Sequence, residues 1–335
     1  MAASSARRWT KGTVIEVEDV AESVRKIVIR PETPGQQAPP GSHLDVGVRI
    51  RGLSDVRSYS VVGMADDGES YVLGIQLARE SRGGSAYMHS LDVGAQVSIS
   101  QPLQNFPLTY GRPDYVLLAG GIGITALVAM ASALRARGSE YRFVYGARTR
   151  KLMAFADELA AEHGDRLELR VDDEGTQLDV GQLIADCTQQ TELYICGPIG
   201  MLDAVRRAWA ASDRPLNNLR FETFGSSGRF APEAFEVEIS RLGMRVTVPA
   251  DVSMLEALEA AGADLMFDCR KGECGLCEVK VLDVVGDIDH RDVFLSDGQH
   301  ELGDRILTCV SRVVSPHTIE TTATETRGAI SIDVP

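Results

Sequence analysis

DCRKGECGLCEVK, residues 268 to 280, holds three cysteines within nine residues, separated mostly by glycines and charged side chains. The spacing is C-x4-C-x2-C, and a fourth cysteine, Cys309, follows on a predicted strand. Structural zinc sites usually carry paired C-x2-C units, whereas this loop has one. A Rieske centre needs two histidines beside two cysteines, and the loop contains no histidine. The loop therefore predicts a site built from four thiolates.

The same spacing is found in plant-type ferredoxins, in which four thiolates hold a [2Fe–2S] cluster. Gly272 and Gly275 allow the backbone to approach the sulfur atoms and to aim N–H groups at them. From Phe235 onward the sequence resembles a plant-type ferredoxin domain, which implies a small β-grasp sheet of the α+β class packed against one helix. The predicted cluster ligands are Cys269, Cys274, Cys277 and Cys309.

The composition is that of a soluble globular protein. With 335 residues, 44% of them apolar, the chain is long enough for two or three domains that each bury a core. It has no apolar run long enough for a membrane-spanning helix, and a net charge of −14 argues against a nucleic-acid binder. The N-terminus lacks the apolar segment of a secretory signal, and the cysteine pattern suits a reducing compartment. We therefore expect a cytoplasmic protein.

The pattern of apolar residues divides the chain into three parts. Short alternating strands separated by turns, up to about residue 108, predict an antiparallel β-barrel. From Pro113 onward, buried strands alternate with amphipathic helices, which predicts an α/β domain with a doubly wound parallel sheet. Small polar residues, 225 to 234, form a linker to the cysteine-containing part. The predicted domains are residues 1–110, 111–226 and 227–335.

Local signals place further elements in the second and third parts. In the third part, a hairpin is predicted to turn at Leu242-Gly243, and Ser253 is predicted to cap the one helix. The segment SPHTIETTATETRG, residues 315–328, looks like an insertion before the last apolar strand. Helices of the second part are predicted near 152–162, 180–187 and 201–211.

Two short motifs in the barrel part together match the needs of a flavin. They are RSYS, which begins at Arg57, and RGGS, which begins at Arg82. A flavin phosphate needs a guanidinium and a nest of backbone N–H groups, which Arg57 and the glycines of RGGS can supply. The isoalloxazine ring needs an aromatic face and a hydroxyl near its reactive nitrogen, which Tyr59 and Ser60 can supply.

With these motifs the sequence resembles the ferredoxin-NADP reductase superfamily, whose barrel carries R-x-Y-S at the flavin. The order of barrel, nucleotide domain and ferredoxin is that of its phthalate dioxygenase reductase branch, which binds FMN instead of FAD. The resemblance implies that Arg57 contacts the FMN phosphate and that Tyr59 and Ser60 contact the ring. FAD stays open, because nothing in the composition excludes an adenylate. The other implied phosphate contacts are Arg82, Gly83, Gly84 and Ser85.

A glycine-rich turn, LLAGGIGITAL, opens the second part between a buried strand and a helix. It differs from G-x-G-x-x-G, but glycine still lets a pyrophosphate approach the unpaired N–H groups of a helix N-terminus. A later strand ends in CGP, at the edge where parallel sheets bind their ligands. These motifs predict a nicotinamide dinucleotide site formed by Gly120, Gly121, Gly123, Cys196, Gly197 and Pro198.

The resemblance further implies which residues lie at the reacting rings. Cys196 is expected beside the nicotinamide, Thr125 near both rings, and Phe224 stacked near the flavin. Ala126 departs from the family, which commonly has proline after the threonine. The residues expected to act in catalysis are Ser60, Thr125, Cys196 and Phe224.

The coenzyme is expected to be NADH, with NADPH left open. Arg148, Arg150 and Lys151 can hold a 2′-phosphate, whereas Asp172 and Asp173 at the end of the next strand repel one. The phthalate dioxygenase reductase branch mostly uses NADH, and Arg148 is the expected coenzyme contact.

Together the three parts are predicted to couple a two-electron donor to a one-electron acceptor. A nicotinamide gives two electrons at once as hydride and a [2Fe–2S] cluster accepts one at a time, so a flavin between them splits the pair. The resemblance implies a reductase that passes electrons from NADH to FMN to [2Fe–2S] to a terminal oxygenase. That partner is expected to be a Rieske non-haem iron oxygenase, with a haem monooxygenase as the alternative. We expect the reductase to be a monomer.

Two other classes of protein are less compatible with the motifs. A free-standing ferric or flavin reductase does not need the cysteine loop, and a zinc-binding or redox-sensing module does not need the flavin and nucleotide motifs. If the cluster is the exit point for electrons, the charges around it form a candidate docking rim. These charged residues are Arg270, Lys271, Glu273 and Glu278.

Overall fold

The computed structural model describes residues 8–50, 52–78, 83–224, 230, 232–316 and 327–334. The chain forms two compact units, Met1–Glu222 and Thr223–Pro335. The predicted phosphate contact Arg82, most of the predicted linker and most of the predicted insertion lie outside the described residues.

The first unit begins with a closed antiparallel barrel, as the alternating strands predict. Its strands are β1 (Trp9–Ala21), β2 (Val24–Pro31), β3 (Ser42–Ile50), β4 (Leu53–Met64), β5 (Tyr71–Gln76), β6 (Gln96–Ser100) and β7 (Leu103–Gln104). Six of them pair in the order β4-β5-β2-β1-β6-β3, a pairing of β3 with β4 closes the circle, and β7 adds to β3. Apolar side chains on these strands, including Val14, Ile27 and Leu44, fill the interior. A short helix, α1 (Gly84–His89), lies between β5 and β6 in the chain.

A five-stranded parallel sheet completes the first unit, as predicted. Its elements are β8 (Asp114–Gly120), α2 (Ile124–Ala136), β9 (Glu140–Ala147), α3 (Ala156–His163), β10 (Leu167–Val171), α4 (Val180–Ala185), β11 (Glu192–Cys196), α5 (Ile199–Ala210) and β12 (Leu219–Glu222). The strand order is β10-β9-β8-β11-β12. The chain therefore runs outward from β8 in one direction and then returns to start again at β11. This reversal makes the sheet doubly wound, and ligands of such sheets bind at the carboxyl ends of the two strands where the order reverses.

The helices of this sheet differ from their predicted bounds for local reasons. Helix α3 begins at Ala156 and not near 152, because a 3-10 turn precedes it and Phe155 has a positive φ of 61°. Helix α5 begins earlier than predicted, at Ile199, because Pro198 is extended and the helix begins directly after it. Helix α4 ends at Ala185, two residues before its predicted end.

The second unit is a mixed sheet with the β-grasp arrangement expected from the ferredoxin resemblance. Its elements are β13 (Phe235–Ile239), β14 (Met244–Val248), α6 (Met254–Ala260), β15 (Glu278–Val285), β16 (Asp287–Asp289), α7 (Asp297–Leu302), β17 (Arg305–Leu307), β18 (Arg312–Val314) and β19 (Ala329–Asp333). The main sheet has the order β14-β13-β19-β15-β17, with β13 and β19 parallel and the other pairs antiparallel, and β16 pairs with β18.

Two sequence predictions in this unit are confirmed. The hairpin between β13 and β14 turns at Leu242-Gly243, where Gly243 has a φ of 60°. Ser253 caps α6 in a capping box, since its hydroxyl accepts the N–H of Glu256 while the Glu256 carboxylate accepts the N–H of Ser253. Helix α6 buries Leu255 and Leu258 in the core of the unit.

Candidate cofactor sites

The four predicted cluster cysteines come together at one end of the second unit. Cys269 and Cys274 lie on the loop between α6 and β15, Cys277 lies directly before β15, and Cys309 follows β17. The Cys277 and Cys309 thiols are hydrogen-bonded to each other, as are those of Cys269 and Cys274, and the Cys309 thiol also interacts electrostatically with Cys269. All of them are free thiols. The fold therefore delivers the distant Cys309 to the loop, as the spacing requires.

The Cys277 and Cys309 thiols differ in how readily they lose a proton. A hydrogen bond from the Cys309 thiol lowers the pKa of Cys277 to about 6. The same hydrogen bond, together with burial, raises the pKa of Cys309. Because the negative charge of one thiolate opposes the next ionisation, four adjacent thiolates require a cation to compensate them.

The loop backbone directs N–H groups at the sulfur atoms. The N–H of Lys271 lies 3.4 Å from the Cys269 sulfur, and backbone N–H groups of Glu273 and Cys274 also bond to Cys269. A backbone bond from Gly272 reaches Cys309. Four converging thiols with several amide donors match the donor set of a [2Fe–2S] cluster, whose sulfurs accept such hydrogen bonds.

The loop can close in this way only because of its two glycines. Gly272 and Gly275 have φ values of 76° and 77°, which side chains disfavour. A Cβ on Gly272 would lie 2.7 Å from a methyl carbon of Val310, and a Cβ on Gly275 would overlap the ring of Phe294. Both glycines are thus required by backbone conformation and by space, in agreement with the sequence prediction.

The charged rim around the loop is largely paired within the second unit. Arg270 binds the Glu259 carboxylate at 3.0 Å, and Glu278 binds Arg305 at 2.8 Å. Glu273 accepts hydrogen bonds from the backbone N–H and the hydroxyl of Thr223, at 2.8 and 2.7 Å. The large apolar side chains exposed along the same loop and beside it are Met266, Phe267, Leu276 and Phe294.

The two barrel motifs, RSYS and RGGS, lie side by side. Arg57 is on β4, and a Cβ on Gly84, the first residue of α1, would lie 2.7 Å from Arg57 Cγ. Gly83 has a φ of 101°, so the chain turns sharply where the two motifs meet. The guanidinium of Arg57 is paired with Asp55 at 2.7 Å. Ser85 Oγ accepts a hydrogen bond from the N–H of Ala78, at 3.2 Å. A cation and a positive-φ glycine turn therefore adjoin, which is the cradle that a phosphate needs.

Tyr59 and Ser60 follow Arg57 on the same strand. Burial raises the pKa of Tyr59 to about 12, so its hydroxyl stays protonated. Ser60 is buried and lies opposite His43 of β3 in the antiparallel register. Because successive side chains of a strand point to opposite faces, the side chains of Tyr59 and Ser60 lie on opposite faces of β4.

The two predicted nucleotide motifs meet at the carboxyl ends of β8 and β11. These strands are neighbours, with Cys196 aligned with Ala119. A Cβ on Gly123 would overlap the carbonyl of Cys196, and a Cβ on Gly120 would lie 2.6 Å from Pro198 Cδ. The glycines of GGIGIT thus let this turn pack against CGP, at the edge where the strand order reverses.

Thr125 lies at the junction between the sheet and the barrel. It is buried, its hydroxyl donates to the carbonyl of Ile122 at 2.9 Å, and its methyl group would lie 2.8 Å from a Cβ on Gly74 of β5. A Cβ on the same glycine would lie 3.1 Å from the ring of Phe155. Gly74 and Phe155 thus share this junction, and the sequence analysis missed both, since a lone glycine on a strand and an aromatic residue before a helix carry no motif.

The remaining predicted site residues have distinct surroundings. Cys196 is only 1% exposed and belongs to the apolar core of the first unit. Phe224 follows β12 and is exposed. Arg148 is also exposed. Arg150 is held by both carboxylate oxygens of Glu174, at 2.9 Å each. The assignment of these residues to cofactors remains a prediction.

Comparisons with known proteins agree with this arrangement. Residues 11–107 match the oxidoreductase FAD-binding domain family, and residues 237–314 match the 2Fe-2S iron-sulfur cluster binding domain family. Tetrachlorobenzoquinone reductase of Sphingobium chlorophenolicum is 38% identical over 92% of this chain and 96% of its own length. Vanillate O-demethylase oxidoreductase of a Pseudomonas species is 35% identical over 82% of this chain and 87% of its own.

Several solved structures resemble nearly the whole chain, and two of them are informative. Phthalate dioxygenase reductase matches with a TM-score of 0.74 and 26% identity, over 97% of this chain and 98% of its own. The chain belongs to the phthalate dioxygenase reductase-like family of oxygenase reductases. An intact type IV self-sufficient cytochrome P450 monooxygenase matches with a TM-score of 0.66 and 34% identity over 97% of this chain, which spans only 41% of the length of that protein.

Membership of the phthalate dioxygenase reductase-like family fixes the class of chemistry. The chain is an electron-transferring oxidoreductase whose cofactors are a flavin and an iron–sulfur cluster. Among the residues that the structure describes, no helix combines the length and the apolar character needed to cross a membrane.

In this reductase, replacing Gly123 by alanine is expected to damage the nucleotide site selectively. The added methyl group would overlap the Cys196 carbonyl, and overpacking of this kind costs about 1–3 kcal/mol. We expect roughly a 5- to 100-fold loss in kcat/KM for the nicotinamide coenzyme, measured with ferricyanide as acceptor. Gly200→Ala is the matched control, because its Cβ would meet nothing within 4 Å. Equal kinetics for the two variants would show that the turn does not shape the site.

Proposed function

We propose that this protein is an NADH-dependent reductase that passes electrons through FMN and a [2Fe–2S] cluster to a terminal oxygenase. The convergence of four free thiols and several backbone N–H groups in the second unit carries this proposal. A flavin-type barrel and a nucleotide-type sheet in the same chain supply the other two sites. A bound flavin would take a hydride from the coenzyme and release its electrons singly to the cluster.

Arg57 and the turn at Gly83, Gly84 and Ser85 are proposed to hold the flavin phosphate. The guanidinium lies against the start of α1, where Gly83 has its positive φ. One guanidinium and a few backbone N–H groups are sufficient for the single phosphate of FMN. Tyr59 offers an aromatic face and a protonated hydroxyl on the same strand. The flavin released by acid and identified by its mass distinguishes FMN from FAD.

The coenzyme is proposed to lie over the turn from Gly120 to Gly123 and over Cys196 to Pro198. Gly120, Gly123 and Gly197 keep this edge free of side chains at the turn itself, so a dinucleotide can approach the backbone there. Thr125 and Phe155 pack against Gly74 and hold the barrel and the sheet together. Their part in the reaction is to keep the flavin and nucleotide positions in a fixed relation, which orients the two rings for hydride transfer.

NADH is favoured over NADPH by the charges after β9 and β10. Arg150 is already bound by both oxygens of Glu174, and Asp172 and Asp173 lie on the same short turn as Glu174. A 2′-phosphate would have to displace a carboxylate and approach two more. Arg148 is exposed and remains available to the coenzyme.

The acceptor is proposed to be a Rieske non-haem iron oxygenase that acts on an aromatic or small organic acid. Two of the matched proteins carry phthalate dioxygenase and vanillate O-demethylase in their names, and both are reductases or oxidoreductases. The match to a self-sufficient cytochrome P450 monooxygenase supports a haem enzyme as the second candidate acceptor. The name of the tetrachlorobenzoquinone reductase adds a quinone as a third acceptor to be tried.

Free thiols at all six cysteines support a reducing compartment, and we propose a cytoplasmic monomer.

Reconstitution tests the acceptor directly. The purified reductase and NADH are combined with a Rieske aromatic oxygenase, with a cytochrome P450, or with tetrachlorobenzoquinone alone, and turnover is measured. Product formation that requires the Rieske oxygenase supports the proposal. Fast quinone reduction that persists without the cluster, together with failure of both oxygenases, would replace the proposal by a free-standing reductase.

Cys274→Ser is expected to separate the two halves of the electron route. The variant should keep NADH-dependent reduction of ferricyanide, because the residues proposed to hold the flavin phosphate and the coenzyme belong to the first unit. It should lose most reduction of cytochrome c, because one cluster ligand is gone. Cys187→Ser is the control, since Cys187 is a buried free cysteine of the first unit and is not part of the cysteine loop. Undiminished cytochrome c reduction in Cys274→Ser would mean that electrons do not leave through the cluster.

Arg57→Ala is expected to weaken flavin retention by about 10-fold or more, since a charge-assisted contact to a phosphate contributes roughly 1.5–3 kcal/mol. The measurement is the Kd of the flavin after reconstitution of the flavin-free protein. Arg30→Ala removes a barrel arginine that pairs with Asp67 at 3.3 Å, and it should bind flavin normally. A fully flavin-loaded Arg57→Ala protein would contradict the phosphate assignment.

Glu174→Gln is expected to raise kcat/KM for NADPH roughly 3- to 10-fold, because it frees the Arg150 guanidinium to bind a 2′-phosphate. The value for NADH should change little. Glu168→Gln, which removes the 3.0 Å ion pair between Glu168 of β10 and Arg142 of β9, is the control. If the ratio of kcat/KM for NADPH to that for NADH is unaltered in Glu174→Gln, the Arg150–Glu174 pair does not determine coenzyme specificity.

A further inference from the structure

Three metal-ligating side chains meet in the second unit outside the cysteine loop. His290 and Asp292 follow β16, and His300 lies on α7. His300 Nε2 is 3.2 Å from Asp292 Oδ2, and His290 Nδ1 is 3.7 Å from Asp292 Oδ1. One ligand atom from each of the three residues lies within 4.8 Å of the others.

Burying these polar side chains without a further ligand is energetically unfavourable. The Asp292 side chain is fully buried and that of His290 is only 9% exposed. Neither ring nitrogen of His290 has a hydrogen-bond partner, although both are buried. Buried polar atoms are nearly always satisfied, because leaving one unpaired costs about 1–3 kcal/mol. A buried imidazole whose nitrogens make no hydrogen bond, beside a buried carboxylate, therefore points to a further ligand here.

The carboxylate is held in place by the surrounding chain. Asp292 Oδ2 accepts the N–H of Leu295 at 2.9 Å, and Oδ1 accepts the hydroxyl of Ser311 at 3.1 Å. A fixed, ionised carboxylate is the form that ligates a metal.

We propose that His290, Asp292 and His300 form a binding site for a divalent transition-metal ion, with Zn²⁺ as the best chemical fit. Imidazole and carboxylate are common zinc ligands, with bonds of about 2.0–2.2 Å. Ligand atoms 3.2 and 3.7 Å apart are at the separation that two such bonds to one ion produce. The ion would neutralise the buried carboxylate and would satisfy a nitrogen of His290.

One imidazole has to turn when the ion binds. The two rings are stacked, with centroids 4.3 Å apart and planes 20° from parallel, so their nitrogens point side by side. His300 is the ring that is able to move, because its side chain is 24% exposed and the other two are nearly closed off. The same exposed side leaves room for a water as the fourth ligand, as in three-residue zinc sites.

A metal ion here would act on the cysteine loop as well. The N–H of Val293 donates to the carbonyl of Gly272 at 3.0 Å, and a Cβ on Gly272 would lie 2.9 Å from Asp292 Cα. The proposed site therefore adjoins the loop that carries Cys269 and Cys274. Positive charge beside a cluster favours the added electron, so zinc binding is expected to raise the midpoint potential of the cluster.

The test uses the full-length protein with flavin and cluster in place. After dialysis against Zn²⁺, zinc, iron and flavin are counted per chain by mass spectrometry and absorbance. We expect one zinc per chain in addition to the iron. His300→Gln and His290→Gln should each weaken zinc binding by at least about 10-fold, with iron and flavin unchanged. His89→Gln is the control, because His89 lies in the first unit and bonds to the Ile75 carbonyl.

Two outcomes would overturn the proposal. One is zinc binding that is absent in the wild-type protein or equal in His300→Gln. The other is an X-ray absorption spectrum of the bound zinc that shows sulfur neighbours, because the ion would then sit on cysteines. Nitrogen and oxygen neighbours, together with a cluster potential that rises with zinc in the wild type and not in His300→Gln, support it.

Discussion

The convergence of four thiols on one point is the constraint that organises the second unit. Like-charged thiolates repel each other, so the backbone must hold them together until a cation compensates them. Two positive-φ glycines, the amide groups of the loop and the position of Cys309 after β17 all serve this purpose. The apolar core formed by α6 and the sheet supplies the rigid support for that loop.

Sequence reasoning succeeded where a single local rule determines the structure. The spacing of Cys269, Cys274 and Cys277 leaves few alternatives once a histidine pair is excluded, and the structure brings Cys309 to them. Ser253 is followed at the third position by Glu256, which specifies a capping box without any tertiary information. The barrel and the parallel sheet were likewise predictable, because periods of two residues and alternating helices are visible in the sequence.

Other features depend on residues far apart in the sequence and could not be predicted from it. Phe155 adopts a positive φ directly before α3, and its ring lies close to Gly74 of β5. From the sequence, Arg150 is a candidate to bind a phosphate, but in the fold both carboxylate oxygens of Glu174 bind its guanidinium. The approach of His300 to Asp292 likewise requires α7 to pack against the segment after β16. None of these pairs has a characteristic spacing, so each became visible only in three dimensions.

The position of β19 in the second unit has a consequence for how the protein is made. The sheet hydrogen bonds that join the β13–β14 hairpin to β15 and β17 all pass through β19, which follows every cysteine of the loop in the sequence. During synthesis the four thiols therefore leave the ribosome before the strand that unites the two halves of their sheet. The sheet that supports the cysteine loop is therefore complete only once β19 has been synthesised and has paired with β13 and β15.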